Sequence, residues 1–165
     1  FNTDGPGFLK AFRLWNPRPP KDIPVIVIGA GATARSLMTV LVQEGYRNFT
    51  IINRTEKRSI VLAKWLKETF SGIEITTQEW GRITAKERLF ILNATPIGMI
   101  SEDLDWLHVS ELKRPAWIFD VTYNPQETSL IRQARARCFY TMTGWPMFQA
   151  QAQLAFQLWT AARPT

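Results

Sequence analysis

Val25-Ile26-Val27-Ile28-Gly29-Ala30-Gly31-Ala32-Thr33-Ala34 is the stretch that decides the fold. Its apolar, largely β-branched start reads as a strand buried on both faces. A pair of glycines follows at once, and then an amphipathic run that opens a helix. In a dinucleotide site, Gly29 makes the tight turn and Gly31 lets the backbone approach a diphosphate, while a small third residue, here Ala34, lets helix and strand pack closely. The diphosphate then meets unpaired amides and the positive end of the helix dipole. The Gly-x-Gly-x-x-Ala pattern is weak alone and gains weight from its place between strand and helix.

Outward from this turn, the chain alternates strands and helices. A helix near 34–44 closes at Gly45. Phe49-Thr50-Ile51-Ile52 reads as a second buried strand, followed by a helix from about 57 to 70 whose apolar positions are Ile60, Ala63, Leu66 and Phe70. Ile73-Glu74-Ile75-Thr76 is expected to be a third strand at the sheet edge. Leu89-Phe90-Ile91-Leu92, Ala116-Trp117-Ile118-Phe119 and Cys138-Phe139-Tyr140-Thr141-Met142 supply three more. A helix is expected over 129–136, and a long closing helix runs through Gln151, Phe156 and Trp159. Near the start, Leu9, Phe12 and Leu14-Trp15 suggest a short helix before the breaker Pro17-Arg18-Pro19-Pro20. The expected fold is α/β, a Rossmann-type doubly wound parallel sheet of six strands in the order 3-2-1-4-5-6. In that arrangement every short polar motif that follows a strand faces the same sheet edge, and this clustering argues for a site.

Composition narrows the function. The 165 residues fit one domain, and 45% hydrophobic residues are enough for a core. No apolar run is long enough to cross a bilayer. One cysteine, Cys138, and one histidine, His108, leave no partner for an internal disulfide and argue against a transition-metal site. They fit a reducing, cytoplasmic setting. The net charge of +6 suggests an anionic partner. Nucleic acid is disfavoured, because Arg132, Arg135 and Arg137 read better as a solvated helix face than as a binding stripe.

The end of the second strand speaks to the cofactor. An NAD-selective site places a carboxylate about 20 residues beyond the glycines, where it accepts from the ribose 2′-hydroxyl. Here that place holds Asn53-Arg54-Thr55, with Lys57 and Arg58 just beyond. A guanidinium pairs with a 2′-phosphate that a carboxylate would repel. NADP is therefore expected over NAD.

Several motifs, taken together, resemble the cofactor-binding half of the shikimate dehydrogenase family. They are Asn2-Thr3-Asp4-Gly5-x-Gly7, the turn at 29–34, Asn53-Arg54-Thr55-x-x-Arg58, and Asn93-Ala94-Thr95-Pro96-Ile97-Gly98-Met99. Asp120-Val121-Thr122-Tyr123-Asn124-Pro125-x-x-Thr128 and Gly144-x-x-Met147-Phe148-x-x-Gln151-Ala152 complete the series. The resemblance covers nearly the whole chain. It implies reversible hydride transfer between NADPH and 3-dehydroshikimate, giving shikimate, in aromatic amino-acid biosynthesis.

The resemblance also implies roles for single residues. Asp4 would be catalytic and substrate-binding, paired with a lysine of an N-terminal substrate domain that lies outside this chain. Gly29, Gly31, Ala32 and Thr33 would face the diphosphate, and Asn53, Arg54, Thr55 and Arg58 the adenosine 2′-phosphate. Asn93, Ala94 and Thr95 would pass beside the cofactor's ribose and nicotinamide, and Gly144 and Met147 would border the nicotinamide. Tyr123 and Gln151 would contact substrate. Residues 1–20 would then be an interdomain segment and 21–165 the NADP-binding domain, so the isolated chain is expected to be inactive.

Ala32-Thr33 departs from the family's usual Gly-Ala and adds a hydroxyl near the diphosphate. Ser129 replaces a common proline, and Trp145-Pro146 replaces smaller residues. A quinate-utilising relative and a non-catalytic regulatory descendant remain as alternatives.

Overall fold

The computed structural model describes residues 2–81, 83, 88–99 and 107–160. Residue 1 of the expected 1–20 segment and residues 82, 84–87, 100–106 and 161–165 of the expected 21–165 unit lie outside the described residues. The elements are α1 (Asp4–Leu14), β1 (Val25–Ile28), α2 (Ala32–Gln43), β2 (Asn48–Ile52), α3 (Glu56–Thr69) and β3 (Glu74–Gln78). They continue with β4 (Leu89–Asn93), a 3-10 turn at Val109–Glu111, β5 (Ala116–Asp120), α4 (Ser129–Ala136), β6 (Tyr140–Met142) and α5 (Trp145–Thr160). The six strands form one sheet in the order β3-β2-β1-β4-β5-β6, and every neighbouring pair is parallel. This is the Rossmann-type order expected from the sequence.

The strands sort their side chains by period two. Val25, Val27, Phe49, Ile51, Phe90 and Leu92 join one apolar cluster with α1, α2 and α3. Ile26, Ile28, Ile52, Ile91 and Ile118 join the other, with α4. Burial on both faces accounts for the uninterrupted apolar runs in β1 and β4. Backbone ladders continue past the strand ends: Gly29 N–H donates to Ile52 O, Ala94 N–H to Ile28 O and Val121 N–H to Asn93 O. The three loops after β1, β4 and β5 are thereby fixed side by side.

Two helices differ from the sequence expectation. Helix α1 begins at Asp4 and runs through Gly5-Pro6-Gly7 instead of starting near Leu9. Proline is tolerated in a first helical turn, and an acid there suits the dipole. The glycines serve packing: a Cβ on Gly7 would sit 2.4 Å from Gln151 Cγ on α5. With Phe8 and Phe12 fully buried, α1 is part of the core. Its exit is pinned as well, since Tyr46 donates its hydroxyl to Pro19 O and Trp117 Nε1 donates to Pro17 O. Burial pushes the Tyr46 hydroxyl up to about 12.

Helix α3 buries Ser59, Leu62, Ala63 and Leu66, whereas Ile60 is exposed. The true buried stripe keeps i, i+3, i+4, i+7 spacing but contains a serine, which hid it from an apolar count. Ser59 fits there because its hydroxyl donates to Glu56 O at 2.7 Å.

Candidate functional site

Two clefts open at the sheet edge where the strands end. The first, about 720 Å³, lies between α2 and α3 and is walled by Gly31, Ala32, Arg35, Lys57, Arg58 and Trp65, among others. Gly29 and Gly31 play different parts in it. Gly29 has φ +109°, and a Cβ there would come 2.9 Å from Ala94 O, so the turn itself demands glycine. A Cβ on Gly31 would meet nothing within 4 Å. No protein atom fills that space, which lies at the start of α2, where Gly31 is the N-cap and no side chain caps the helix. Among the described residues no carboxylate pairs with Arg35, Lys57 or Arg58. An open helix start ringed by unpaired cations fits a polyanion.

The expected 2′-phosphate residues divide. Thr55 and Arg58 line the first cleft, as does Lys57, which the motif did not single out. Arg54 is exposed and stands outside that lining. Asn53 donates its amide to Thr55 O at 2.8 Å and shapes the loop before α3.

The second cleft, about 300 Å³, is bounded by α1, α5 and the loops after β4 and β5. It gathers Asp4, Thr33, Ala94, Thr95, Met147 and Gln151, with Tyr123 on its wall. Residues from the start and end of the chain meet at one carboxylate. Gln151 Nε2 donates to Asp4 Oδ1 at 2.5 Å, and Thr33 Oγ1 donates to Asp4 Oδ2 at 3.0 Å. Asp4 N–H donates to Asn2 Oδ1, and Asn2 Nδ2 donates to Ser36 Oγ on α2. The hydroxyl introduced by the Ala32-Thr33 departure therefore points at Asp4. Met147 is buried and still borders the cleft. Tyr123 stacks on Phe148 with centroids 4.2 Å apart, and Trp145 leans on Phe148 at 5.7 Å. The unusual Trp145 thus extends an aromatic row at the cleft's rim.

Asn93 and Gly144 do not reach either cleft. Asn93 is fully buried, donating to Asp120 Oδ1 at 3.0 Å while its Oδ1 accepts from both the amide and the hydroxyl of Thr95. Asp120 also accepts from Thr122 N–H and the Thr128 hydroxyl, and Thr128 caps α4. Burial holds the Asp120 carboxyl above the ordinary carboxylate range, against the pull of those hydrogen bonds. This network sets the loops carrying Ala94, Thr95 and Tyr123. Gly144 is a packing glycine: a Cβ there would sit 2.0 Å from Val121 O. Nothing in the sequence marks Asp120 for this role, because only the β4–β5 register places it beside Asn93. Arg35 and Trp65 lacked any motif signal.

Residues 18–123 match the family described as Shikimate / quinate 5-dehydrogenase. A shikimate dehydrogenase (NADP(+)) of Bacillus licheniformis is 30% identical over 99% of this chain and 58% of its own length. Among solved structures, a quinate dehydrogenase from Corynebacterium glutamicum in complex with NAD superposes with a TM-score of 0.86 at 28% identity, covering 100% of this chain and 59% of that one. A shikimate dehydrogenase in complex with NADP+ gives a TM-score of 0.79 at 29% identity, covering 99% and 57%. The chain thus spans 58% of the length of that Bacillus relative. With its six parallel strands in the order the sequence led one to expect and a family match over residues 18–123, this chain belongs to the shikimate / quinate 5-dehydrogenase family.

Proposed function

We propose that this chain is the cofactor-binding part of an NADP-dependent shikimate dehydrogenase that reversibly reduces 3-dehydroshikimate to shikimate. The observation that carries the reading is the pairing of a cation-walled groove with an adjoining cleft centred on Asp4. Gly31 and Ala32 would admit the diphosphate at the start of α2, and Lys57 and Arg58 would face the 2′-phosphate. The nicotinamide, when bound, supplies or accepts the hydride. Ala94, Thr95 and Met147 would border that end and exclude water from it, with Gly144 holding the backbone of α5 in place.

Asp4 is the group that would stand beside the reacting oxygen. A carboxylate there can hold or pass a proton as charge develops on that oxygen. Its two oxygens are already fixed by Gln151 and Thr33, so little reorganisation is required when substrate arrives. Gln151 and Tyr123 would orient substrate hydroxyls. A lysine from an N-terminal substrate domain of the parent polypeptide would be the cationic partner of Asp4, and the chain alone would bind cofactor without turnover.

A quinate-oxidising relative using NAD is the second reading, favoured by the superposition on the Corynebacterium glutamicum enzyme. Lys57 and Arg58 argue against its cofactor preference. The test is an assay of the full polypeptide with shikimate and with quinate, each with NADP and with NAD. Shikimate oxidation with NADP should be preferred, and Asp4→Asn should lower kcat by about 100-fold. Preference for quinate with NAD would select the second reading, and no oxidation of either would leave a binding protein without this activity.

A further inference from the structure

Arg35 occupies an unfavourable place for an isolated helix. It lies in the first turn of α2, which holds no acidic residue, and the positive end of the dipole repels a cation there. No carboxylate among the described residues pairs with it. Its backbone N–H is satisfied by Gly31 O, whereas its guanidinium makes a different contact. The guanidinium carbon stands 3.6 Å from the centroid of the Trp65 ring, on the facing helix α3. Trp65 is half-buried and braced edge-on by Phe70, with centroids 6.3 Å apart. Both side chains wall the first cleft beside Gly31 and Ala32.

An exposed arginine stacked on a fixed indole keeps its charge and loses much of its rotamer freedom. Placed at a dipole end that wants an anion, it is a preorganised donor. Building on the cofactor assignment above, we propose that Arg35 is a further ligand of the dinucleotide's diphosphate, and that Trp65 is a positioning residue acting through it. This separates two sets of cations in one groove. Lys57 and Arg58, at the start of α3, answer to the 2′-phosphate, and Arg35, at the start of α2, answers to the diphosphate that NADPH and NADH share.

The experiment is titration of the full chain with NADPH and with NADH, using Arg35→Gln, Trp65→Ala, Trp65→Phe and the double variant Arg35→Gln/Trp65→Ala. Thermal unfolding of each variant runs in parallel. Arg35→Gln should weaken both dinucleotides by a similar factor, about five- to ten-fold. Trp65→Ala should weaken both by about three-fold in the parent chain and have no further effect once Arg35 is gone. Trp65→Phe should restore most of the loss, because a phenyl ring still offers a face.

Unchanged affinities in Arg35→Gln overturn the proposal, as does a loss confined to NADPH, which would place Arg35 on the ribose phosphate. Additive losses in the double variant overturn the positioning role of Trp65. The Arg35 arm stands even if Trp65→Ala unfolds, since Arg35 is exposed. If the parent chain binds neither dinucleotide, the cofactor assignment itself falls, a result distinct from every variant outcome.

Discussion

The two clefts at the sheet edge are built on opposite plans. In the groove between α2 and α3 the cations face open space without carboxylate partners among the described residues. At the second cleft the polar groups are already bonded to one another: in the cleft Asp4 to Gln151 and Thr33, and in the buried network behind it Asn93 to Asp120 and Thr95, Asp120 to Thr122 and Thr128. Unpaired charge selects a ligand by attraction. A saturated network selects by fixing where each donor and acceptor stands. Substitutions in the first region should therefore change affinity with little effect on stability, and those behind the second should change stability first.

Glycines give the sharpest contrast. Gly144→Ala drives a Cβ into Val121 O and should cost about 3 kcal/mol or more, visible as a lowered denaturation midpoint. Gly31→Ala places its Cβ in open space. Its midpoint should stay within about 0.5 kcal/mol of the parent, with the loss appearing in dinucleotide titrations. Equal stability losses in the two variants would erase the distinction.

Asp120 comes next. Its native carboxyl titrates above the ordinary 3.8 because burial disfavours the charge. The folded state therefore holds its proton more tightly than the unfolded chain does. This group's contribution to stability is greatest below 3.8, falls as pH rises through the window up to the raised native value, and is flat beyond it. Asp120→Asn removes that dependence while keeping an oxygen for Thr122 and Asn93. Chemical denaturation across pH should show a deficit of about 1 kcal/mol near neutrality that grows towards acid. A deficit that shrinks on acidification would contradict the burial account.

A smaller effect belongs to Thr33. Removing its hydroxyl with Thr33→Val leaves Asp4 Oδ2 without that donor. The expected result is a fall in the full polypeptide's kcat of about three- to five-fold, corresponding to one hydrogen bond of about 1 kcal/mol, while thermal stability holds. An unchanged kcat would show that Gln151 alone orients the carboxylate.

The sequence made some of this legible and hid the rest for physical reasons. Strand order and the glycine turn could be expected because each leaves a local signature or a recognisable motif, whereas the motifs gave Asp4 and Gln151 separate roles and said nothing of the bond between them. The helix at Gly5-Pro6-Gly7 was hidden, since those residues normally signal a turn, and only the approach of α2 to Gly5 and of α5 to Gly7 gives them another use. Asn93 carried a motif but not its direction: its side chain turns inward to Asp120, a partner defined by parallel register. Arg54 belongs to the same motif as Arg58, yet it is exposed in the loop before α3, whereas Arg58, in the first turn of that helix, lines the groove. The Arg35–Trp65 stack joins two helices whose relation no local pattern encodes.

The most direct test is selectivity at the start of α3. Calorimetric titration of NADPH and NADH into the parent chain and into Arg58→Gln compares the doubly charged ester with a hydroxyl at the same place. The parent should favour NADPH by about ten-fold or more, and the variant should lose most of that preference through weaker NADPH binding. Equal affinities in the parent, or a preference that survives in Arg58→Gln, would contradict the assignment of Arg58 to the 2′-phosphate.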